Sequence, residues 1–559
     1  METKEPEKEV KFTFVKDESD PLKDKYGVLP FIQSQGNPDN RFNIQFNQIK
    51  DLDETMTDKV IKLRARLQRS RIKGKGGFVV LREGVYTVQG CLFVTEGVVS
   101  KQMINFVNAL HFESIVDIEG KVKKVEKPVE SCTQKLVEID ITSIFLVIDA
   151  TNVLPFQMED ANRKVNPELE DDDYQEEPKQ EEQQQPKEEV KQEQEQQPQE
   201  EGEGKKKKKD KKKEKKEKKD KADKKEKKDI VVKMKTRLDN RVMDLRTPTT
   251  QALFRIQAGV GMLFREYLSK EGFIEIHTPK LIAGASEGGA NVFKMKYFDR
   301  DACLAQSPQL YKQMCIIGDL KRVFEIGSVF RAENSFTSRH LCEFTGLDFE
   351  MEIKDHYFEV LDVIGKLFTY IFKGLNERFK PELDAINNQY PFEPLEFLDE
   401  TLKIDFKEGC KLLEENGFKQ NVNEDLDTEN EKALGKIIKE KYKTDFYILY
   451  KYPKSARPFY TMPDPHDENY TNSFDAFVRG EEILSGAQRI HEYDLLLSKV
   501  KEKGINPETL KDYLNAFKLG APPHGGVGIG LERVVKLFTG TRNIKKCVMF
   551  PRDPKRLTP

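Results

Sequence analysis

Three textures of hydrophobic and polar residues follow one another along the chain. Between about Asp51 and Pro155, short runs rich in valine, isoleucine, phenylalanine and threonine alternate apolar with polar positions, as in GGFVVLREGVYTVQGCLFV, ESIVDIEGKVKKVEKPV and KLVEIDITSIFLVI. Breaks at glycine, asparagine and proline separate the runs, which predicts about five strands in a small barrel or sandwich. An oligonucleotide-binding barrel fits that strand count, and so does a generic small β-domain. From Glu168 to Gly204 the chain is nearly all Glu, Gln, Asp and Pro, and from Lys205 to Asp229 it is mostly lysine broken by Asp and Glu. Neither block buries enough apolar surface to offset the entropy of ordering it, so both read as solvated linker. After Val231 the texture is globular to the end. QALFRIQAGVGMLFREYLSKEGF sets Ile256, Val260, Leu263 and Tyr267 on one helical face, Gly272 supplies a stop, and a strand, FIEIHTP, ends at Pro279.

These textures divide the chain into an N-terminal extension over 1–50, the barrel over 51–158, the charged linker over 159–232 and a large domain over 233–559. A length of 559 residues agrees, being too great for one core. Charged residues make up 34% of the chain, and the linker accounts for the excess. Lys+Arg 94 against Asp+Glu 97 leaves a formal net charge of -3, so a polyanion must be met by a local basic patch. The lysine block is one such patch, able to hold nucleic-acid phosphates loosely by releasing counterions. The cysteines, Cys91, Cys132, Cys303, Cys315, Cys342, Cys410 and Cys547, form no CxxC pair or zinc-spaced cluster and read as reduced thiols. The amino terminus is charged from the start and no apolar run reaches membrane-spanning length, so a cytoplasmic protein with no membrane contact is expected.

The densest chemistry lies between Phe330 and Glu350. There FRAENSFTSRHLCEFTGLDFE packs Arg331, Arg339, His340 and four carboxylates around apolar positions with no amphipathic period. Such groups must be solvated, paired with one another, or waiting for a charged ligand. Two look-alikes stand elsewhere in the chain. Gly284-Ala285-Ser286-Glu287-Gly288 matches the GxSxG elbow of serine hydrolases, but its flanks read as loop rather than as strand and helix. The glycines of GGVGIGLERVVKLF keep the wrong spacing for a dinucleotide fingerprint, yet small residues ahead of a helix still let a ligand approach the backbone.

Taken in order, the long helix and strand ending at Pro279, the FRAE stretch preceded by VFEIGSV, and the glycine strand leading into LERVVKLF resemble the three motifs of class II aminoacyl-tRNA synthetases. LAQSPQLYKQM, GEEILSGAQRIH, APPHGG and the terminal FPRDPKRLTP make the chain similar to the eukaryotic-type aspartyl-tRNA synthetases over nearly its whole length. That resemblance implies an α+β fold, with an antiparallel sheet flanked by helices behind an all-β oligonucleotide-binding barrel for the anticodon. It implies ATP and Mg2+, aspartate and tRNA(Asp) as partners, and a homodimer joined through the first motif. Membership of a multi-synthetase complex is left open.

The resemblance also assigns residues. Arg331 is expected on the α-phosphate of ATP and Arg533 on the γ-phosphate, as planar forks suit phosphate. Phe344 would stack on adenine with Arg533 opposite, Glu333 and His340 would line the nucleotide, and Glu482 with Ser485 would hold magnesium. Arg489 and Lys312 would take the side-chain carboxylate of aspartate, while Gln309 and Glu287 hold its ammonium beside Ser485. Asparagine would leave those cations without a counter-charge, and a site of that kind rejects the wrong analogue by about 10⁴ to 10⁵. In the barrel, Phe78, Gln89 and Glu138, with Arg71 nearby, would stack on and read unpaired anticodon bases. An asparagine-specific relative and a synthetase-like protein that only binds RNA are the competing readings. One departure stands out: relatives often carry their lysine-rich segment at the amino terminus, whereas here it lies between barrel and catalytic domain.

Overall fold

The computed structural model describes residues 10–31, 44–165, 231–283 and 291–559, and in it the alternating segment closes into a barrel. Strand β2 (Val60–Lys73) buries Ile61, Leu63, Ala65 and Leu67 and turns the residues between them outward. The same alternation governs β3 (Gly76–Glu83), β4 (Tyr86–Phe93), β5 (Ile115–Lys124) and β6 (Val137–Ile148). They run in the order β6-β4-β3-β2-β5, and pairing of β5 with β6 closes the ring, which leaves this barrel no open edge among its five strands. A short β1 (Tyr26–Val28) adds itself parallel to β6 from within the first fifty residues. Helix α1 (Lys101–Ala109) starts at Ser100, whose hydroxyl accepts from Met103 N at 3.1 Å. It seals the barrel core with Met103, Ile104, Phe106 and Val107. This unit runs to Asn162 and takes in Val242–Gln251. There Arg82 and Arg246 both bond the buried Glu113 carboxylate, which satisfies a charge that could not stand alone.

The second unit, Arg163–Arg241 with Ala252–Pro559, is built on one large sheet. Its strands are β7 (Ile274–Glu275), β11 (Arg322–Phe330), β12 (Glu343–Glu352), β13 (Leu402–Asp405), β14 (Phe446–Tyr450), β15 (Ser473–Val478), β16 (Glu481–Gln488) and β17 (His524–Gly530). Their order is β13-β14-β15-β16-β17-β12-β11-β7; the inner pairings are antiparallel and only the edge pairs, β13 with β14 and β7 with β11, are parallel. A small sheet of β8 (Leu281–Ile282), β9 (Lys294–Tyr297) and β10 (Arg300–Leu304) stands beside it.

Helices cover one face of the large sheet. In α2 (Pro248–Lys270), Ile256, Val260 and Leu263 are fully buried as their spacing predicts, and Gly272 ends the turn at φ 79. Helix α4 (Phe358–Arg378) packs so closely on α2 that a Cβ at Gly374 would lie 2.7 Å from Leu263 Cδ2. On the opposite face, Tyr447, Leu449 and Phe477 of β14 and β15 pack a second core against the helices Phe406–Glu415 and Thr428–Tyr442, while β12, β16 and β17 carry side chains there that are not core.

Candidate active site

Strand β12 divides its residues between those two faces. Leu347, Phe349 and Met351 join the core, while Phe344, Gly346, Asp348 and Glu350 lie on the other side. Beside it β17 pairs Gly528 with Asp348 and Gly526 with Glu350. A Cβ at Gly526 would fall 2.1 Å from Glu350 Oε2 and 2.2 Å from Phe349 O, so the strand has to be bare where that carboxylate lies across it. Strand β16 continues the floor with Ser485 opposite Gly528. The result is a cleft of about 480 Å³, walled by the loop after β11 and by the first turn of α5 (Leu531–Phe538).

Arg331 enters this cleft from the end of β11, and its guanidinium lies 5.3 Å from the centroid of the Phe344 ring. Arg533 enters from α5, donating to Glu482 O at 2.9 Å. Glu333 and His340 line the wall between them. His340 Nδ1 is 2.7 Å from Thr337 Oγ1; burial pushes the imidazole pKa down, Glu333 opposes this, and Arg533, Arg339 and Arg331 add to the lowering. Glu482 is a strongly perturbed acid facing the cleft. Burial, and then the neighbouring Asp475 carboxylate, push it up to about 7 despite Arg533.

Ser485 and Arg489 share the floor strand and its continuation. Ser485 Oγ accepts from Arg457 at 2.7 Å, and the same guanidinium grips Asp475 with two bonds of 2.9 and 2.7 Å while lying 4.0 Å over the Tyr452 ring. Arg489 donates to Glu350 at 2.9 and 3.3 Å. Lys312, from α3 (Gln309–Cys315), lies behind the cleft wall, with Nζ 2.9 Å from Asp348 Oδ1, 2.9 Å from Val527 O and 3.5 Å from Glu350 Oε2. Burial raises the Asp348 carboxyl, an effect Lys312 only partly offsets. Burial also acts upward on Glu350, but there Arg489 and Lys312 win and hold it below its ordinary value.

The structure therefore gathers Arg331, Glu333, His340, Phe344, Gln309, Glu482, Ser485, Arg489 and Arg533 around one cleft. Glu287 and the GxSxG stretch lie outside the described residues. One expectation is corrected: Arg489 and Lys312 are not left without a counter-charge when no ligand is bound. Their side chains are 4% and 2% exposed, and cations so buried need the carboxylates that Glu350 and Asp348 supply. The FRAE stretch is likewise partly paired, Arg339 reaching Glu431 at 3.0 Å and Glu481 at 3.4 Å.

Sequence reasoning missed Arg457, Asp475 and Gln306. Arg457 lies in a loop and reaches Asp475 only through tertiary packing, and register sets Asp475 opposite Ser485. Gln306 presents a buried carbonyl oxygen with no hydrogen-bond partner among the described residues, at the cleft wall.

On the barrel, register arranges the candidate base readers in rows. One row runs Arg71, Phe78, Cys91, Asp140, Lys121 and the next Arg69, Val80, Gln89, Glu138, Lys123. Gln89 Nε2 donates to Glu138 Oε2 at 3.0 Å, Phe78 stands 41% exposed, and Arg71 is exposed beside it. Arg71, Phe78, Gln89 and Glu138 therefore share one outer surface.

A central antiparallel sheet that carries guanidinium groups and carboxylates into one cleft between a charged loop and a glycine strand is the frame of a class II synthetase. The family model for tRNA synthetases class II (D, K and N) matches residues 233–554, and the chain belongs to this family. It is 47% identical over 540 residues to the cytoplasmic aspartate–tRNA ligase of Homo sapiens, covering 97% of this chain and 96% of that one. Among solved structures it is similar to the aspartyl tRNA synthetase from Entamoeba histolytica, with TM-score 0.79, 44% identity and 96% of each chain covered. The asparaginyl-tRNA synthetase from Pyrococcus horikoshii, complexed with asparaginyl-adenylate, is similar at TM-score 0.71 and 26% identity, over 92% of this chain and 100% of that one.

Proposed function

We propose that the chain joins L-aspartate to tRNA(Asp) at the expense of ATP in cytoplasmic translation, as an aspartate–tRNA ligase. The observation that carries this reading is the convergence of Arg331, Arg489 and Arg533 on one cleft. The likeness to relatives named as cytoplasmic aspartate–tRNA ligases supports it, and among the described residues no helix is long and apolar enough to cross a membrane.

In the first step an α-carboxylate oxygen of aspartate attacks the α-phosphorus of ATP, the bond to the bridging oxygen breaks, and pyrophosphate leaves. The attacking oxygen is already ionised, so no general base is needed. The task is to bring anions together and to put cations where charge accumulates. Arg331 takes the α-phosphate and Arg533 the γ-phosphate, with Glu333 and His340 along the nucleotide and adenine on Phe344. In the second step the 3′-hydroxyl oxygen of the terminal ribose attacks the carbonyl carbon of aspartyl-adenylate, AMP leaves, and the hydroxyl proton is released.

Glu482 and Ser485 are the residues that would hold Mg2+. They offer hard oxygens, and a carboxyl pushed up by burial and by Asp475 is one that a divalent cation would return to its charged form. Bound Mg2+ would neutralise and orient the phosphates. Arg489 on the cleft floor would meet the side-chain carboxylate of aspartate beside Glu350, with Lys312 acting from behind the wall by anchoring Glu350 and Asp348, and Gln309 and Glu287 would hold the ammonium. Arg71, Phe78, Gln89 and Glu138 read the anticodon. A homodimer belongs to the same reading: Met262 on α2 and Ile274 on β7 leave apolar side chains 43% and 48% exposed, surface that a second copy would cover. Sedimentation at twice the chain mass tests this.

Pyrophosphate exchange with aspartate and asparagine side by side tests the reaction. Exchange with aspartate alone is expected; exchange that depends on asparagine would overturn the specificity. A protein that only binds RNA is disfavoured because Arg331, Glu482 and Arg533 all face the cleft.

A further inference from the structure

A second aromatic ring stands beside Phe78 on the barrel. Phe93, at the end of β4, is 48% exposed, and its ring centroid is 5.4 Å from that of Phe78 with the planes 81° apart. Register explains the meeting: Phe78 pairs with Cys91, so Phe93, two residues on, emerges on the same face. The row it belongs to runs Lys73, Gly76, Phe93. A Cβ at Gly76 would fall 2.7 Å from Phe93 Cδ1 and 2.5 Å from Leu92 O, so β3 is bare where the ring lies against it. Arg71, Lys73 and Lys75 are exposed around the pair.

Water-facing aromatic rings are costly to keep unless something covers them. Flat ring faces with Arg71, Lys73 and Lys75 exposed around them suit the bases and phosphates of single-stranded RNA. With the planes nearly perpendicular, bases on the two rings cannot be stacked on each other. They must be splayed, as unpaired loop nucleotides are.

We infer that Phe93 is a second stacking surface for an unpaired RNA base, next to the one at Phe78. The inference rests on reading the barrel as the anticodon-binding domain. Its test measures binding of a synthetic RNA hairpin carrying the anticodon loop of tRNA(Asp) to the full-length protein by fluorescence anisotropy. Phe93→Ala weakens binding about tenfold, Phe93→Tyr retains it, and Phe93→Leu, apolar but not flat, behaves like alanine. Ile148→Ala, at an exposed apolar side chain elsewhere on the barrel, leaves binding unchanged. Thermal melting of each variant separates contact from folding, and an alanine variant that melts with the wild type yet binds tenfold more weakly supports the inference. Wild-type binding by Phe93→Ala, or full retention by Phe93→Leu, overturns it. If Phe78→Ala also binds like wild type, the failure belongs to the anticodon reading as a whole; if Phe78→Ala alone weakens binding, only Phe93 is excluded.

Discussion

The cleft and the outer barrel face are both rich in charge, but they handle it in opposite ways. In the cleft the Arg489 and Glu350 side chains are 4% and 0% exposed and fixed by paired bonds. On the barrel Lys123 reaches Glu138 across 3.8 Å with its own side chain 58% exposed. Buried pairs keep their geometry when no ligand is present, so the cost of ordering the charges is met by folding rather than by binding. Exposed pairs are screened and worth little, so the anticodon recognition proposed for the barrel would draw on ring stacking and hydrogen bonding. Under the proposed function, the fold would separate a site that discriminates by charge from one that discriminates by shape.

The sharpest way to break this contrast is Arg489→Leu. It removes the guanidinium that holds Glu350 and leaves a buried carboxylate with Lys312 alone. Aspartate-dependent pyrophosphate exchange should fall by roughly 10⁴-fold in kcat/KM. A loss below tenfold would mean that this buried charge does not set selectivity.

Glu482→Gln comes next and is read through pH. The folded-state pKa of Glu482 is raised to about 7, above its ordinary value. Between the two values the folded protein holds a proton that the unfolded chain has released, so folding stability falls as pH rises through that window. The penalty is absent below it and complete above about pH 7, on the order of 3 kcal/mol. Glutamine cannot ionise, so Glu482→Gln should raise the melting temperature at pH 8, measured in chelator, and have little effect at pH 4. Equal shifts at both values would show that burial and Asp475 do not govern this carboxyl.

How far these features could be read from sequence follows from the range of the interactions. The alternation that makes β2 to β6 and the helical face of Ile256, Val260 and Leu263 are local, and the structure repeats them. FRAE and GLER name Arg331 and Arg533 because short motifs keep their residues in fixed relation to a strand or a helix end. The counter-charges were not legible in this way. Lys312 and Asp348, or Arg457 and Asp475, pair a helix or loop residue with a strand residue from distant parts of the chain, and they meet only through tertiary packing. Glycine spacing in GGVGIG signalled close approach, and the approach at Gly526 proves to be that of a protein carboxylate, Glu350.

Phe78→Ala probes the barrel side of the contrast. Losing one stacked base should raise the tRNA Michaelis constant about tenfold, with no change in its salt dependence, since stacking releases no counterions. A steeper or flatter salt dependence would show that the ring acts through the neighbouring cations.

The smallest effect is expected from deleting Lys205 to Lys228, which lies outside the described residues and enters through its sequence alone. A lysine cluster neutralises phosphates and frees their counterions, a contribution that fades as salt rises. At low salt the deletion should raise the tRNA Michaelis constant by a factor on the order of three, and at high salt deleted and intact proteins should converge. The salt dependence would therefore flatten, whereas Phe78→Ala shifts it without changing its slope. Identical slopes for deleted and intact proteins would assign all phosphate contacts to the folded units and leave the lysine block a spacer.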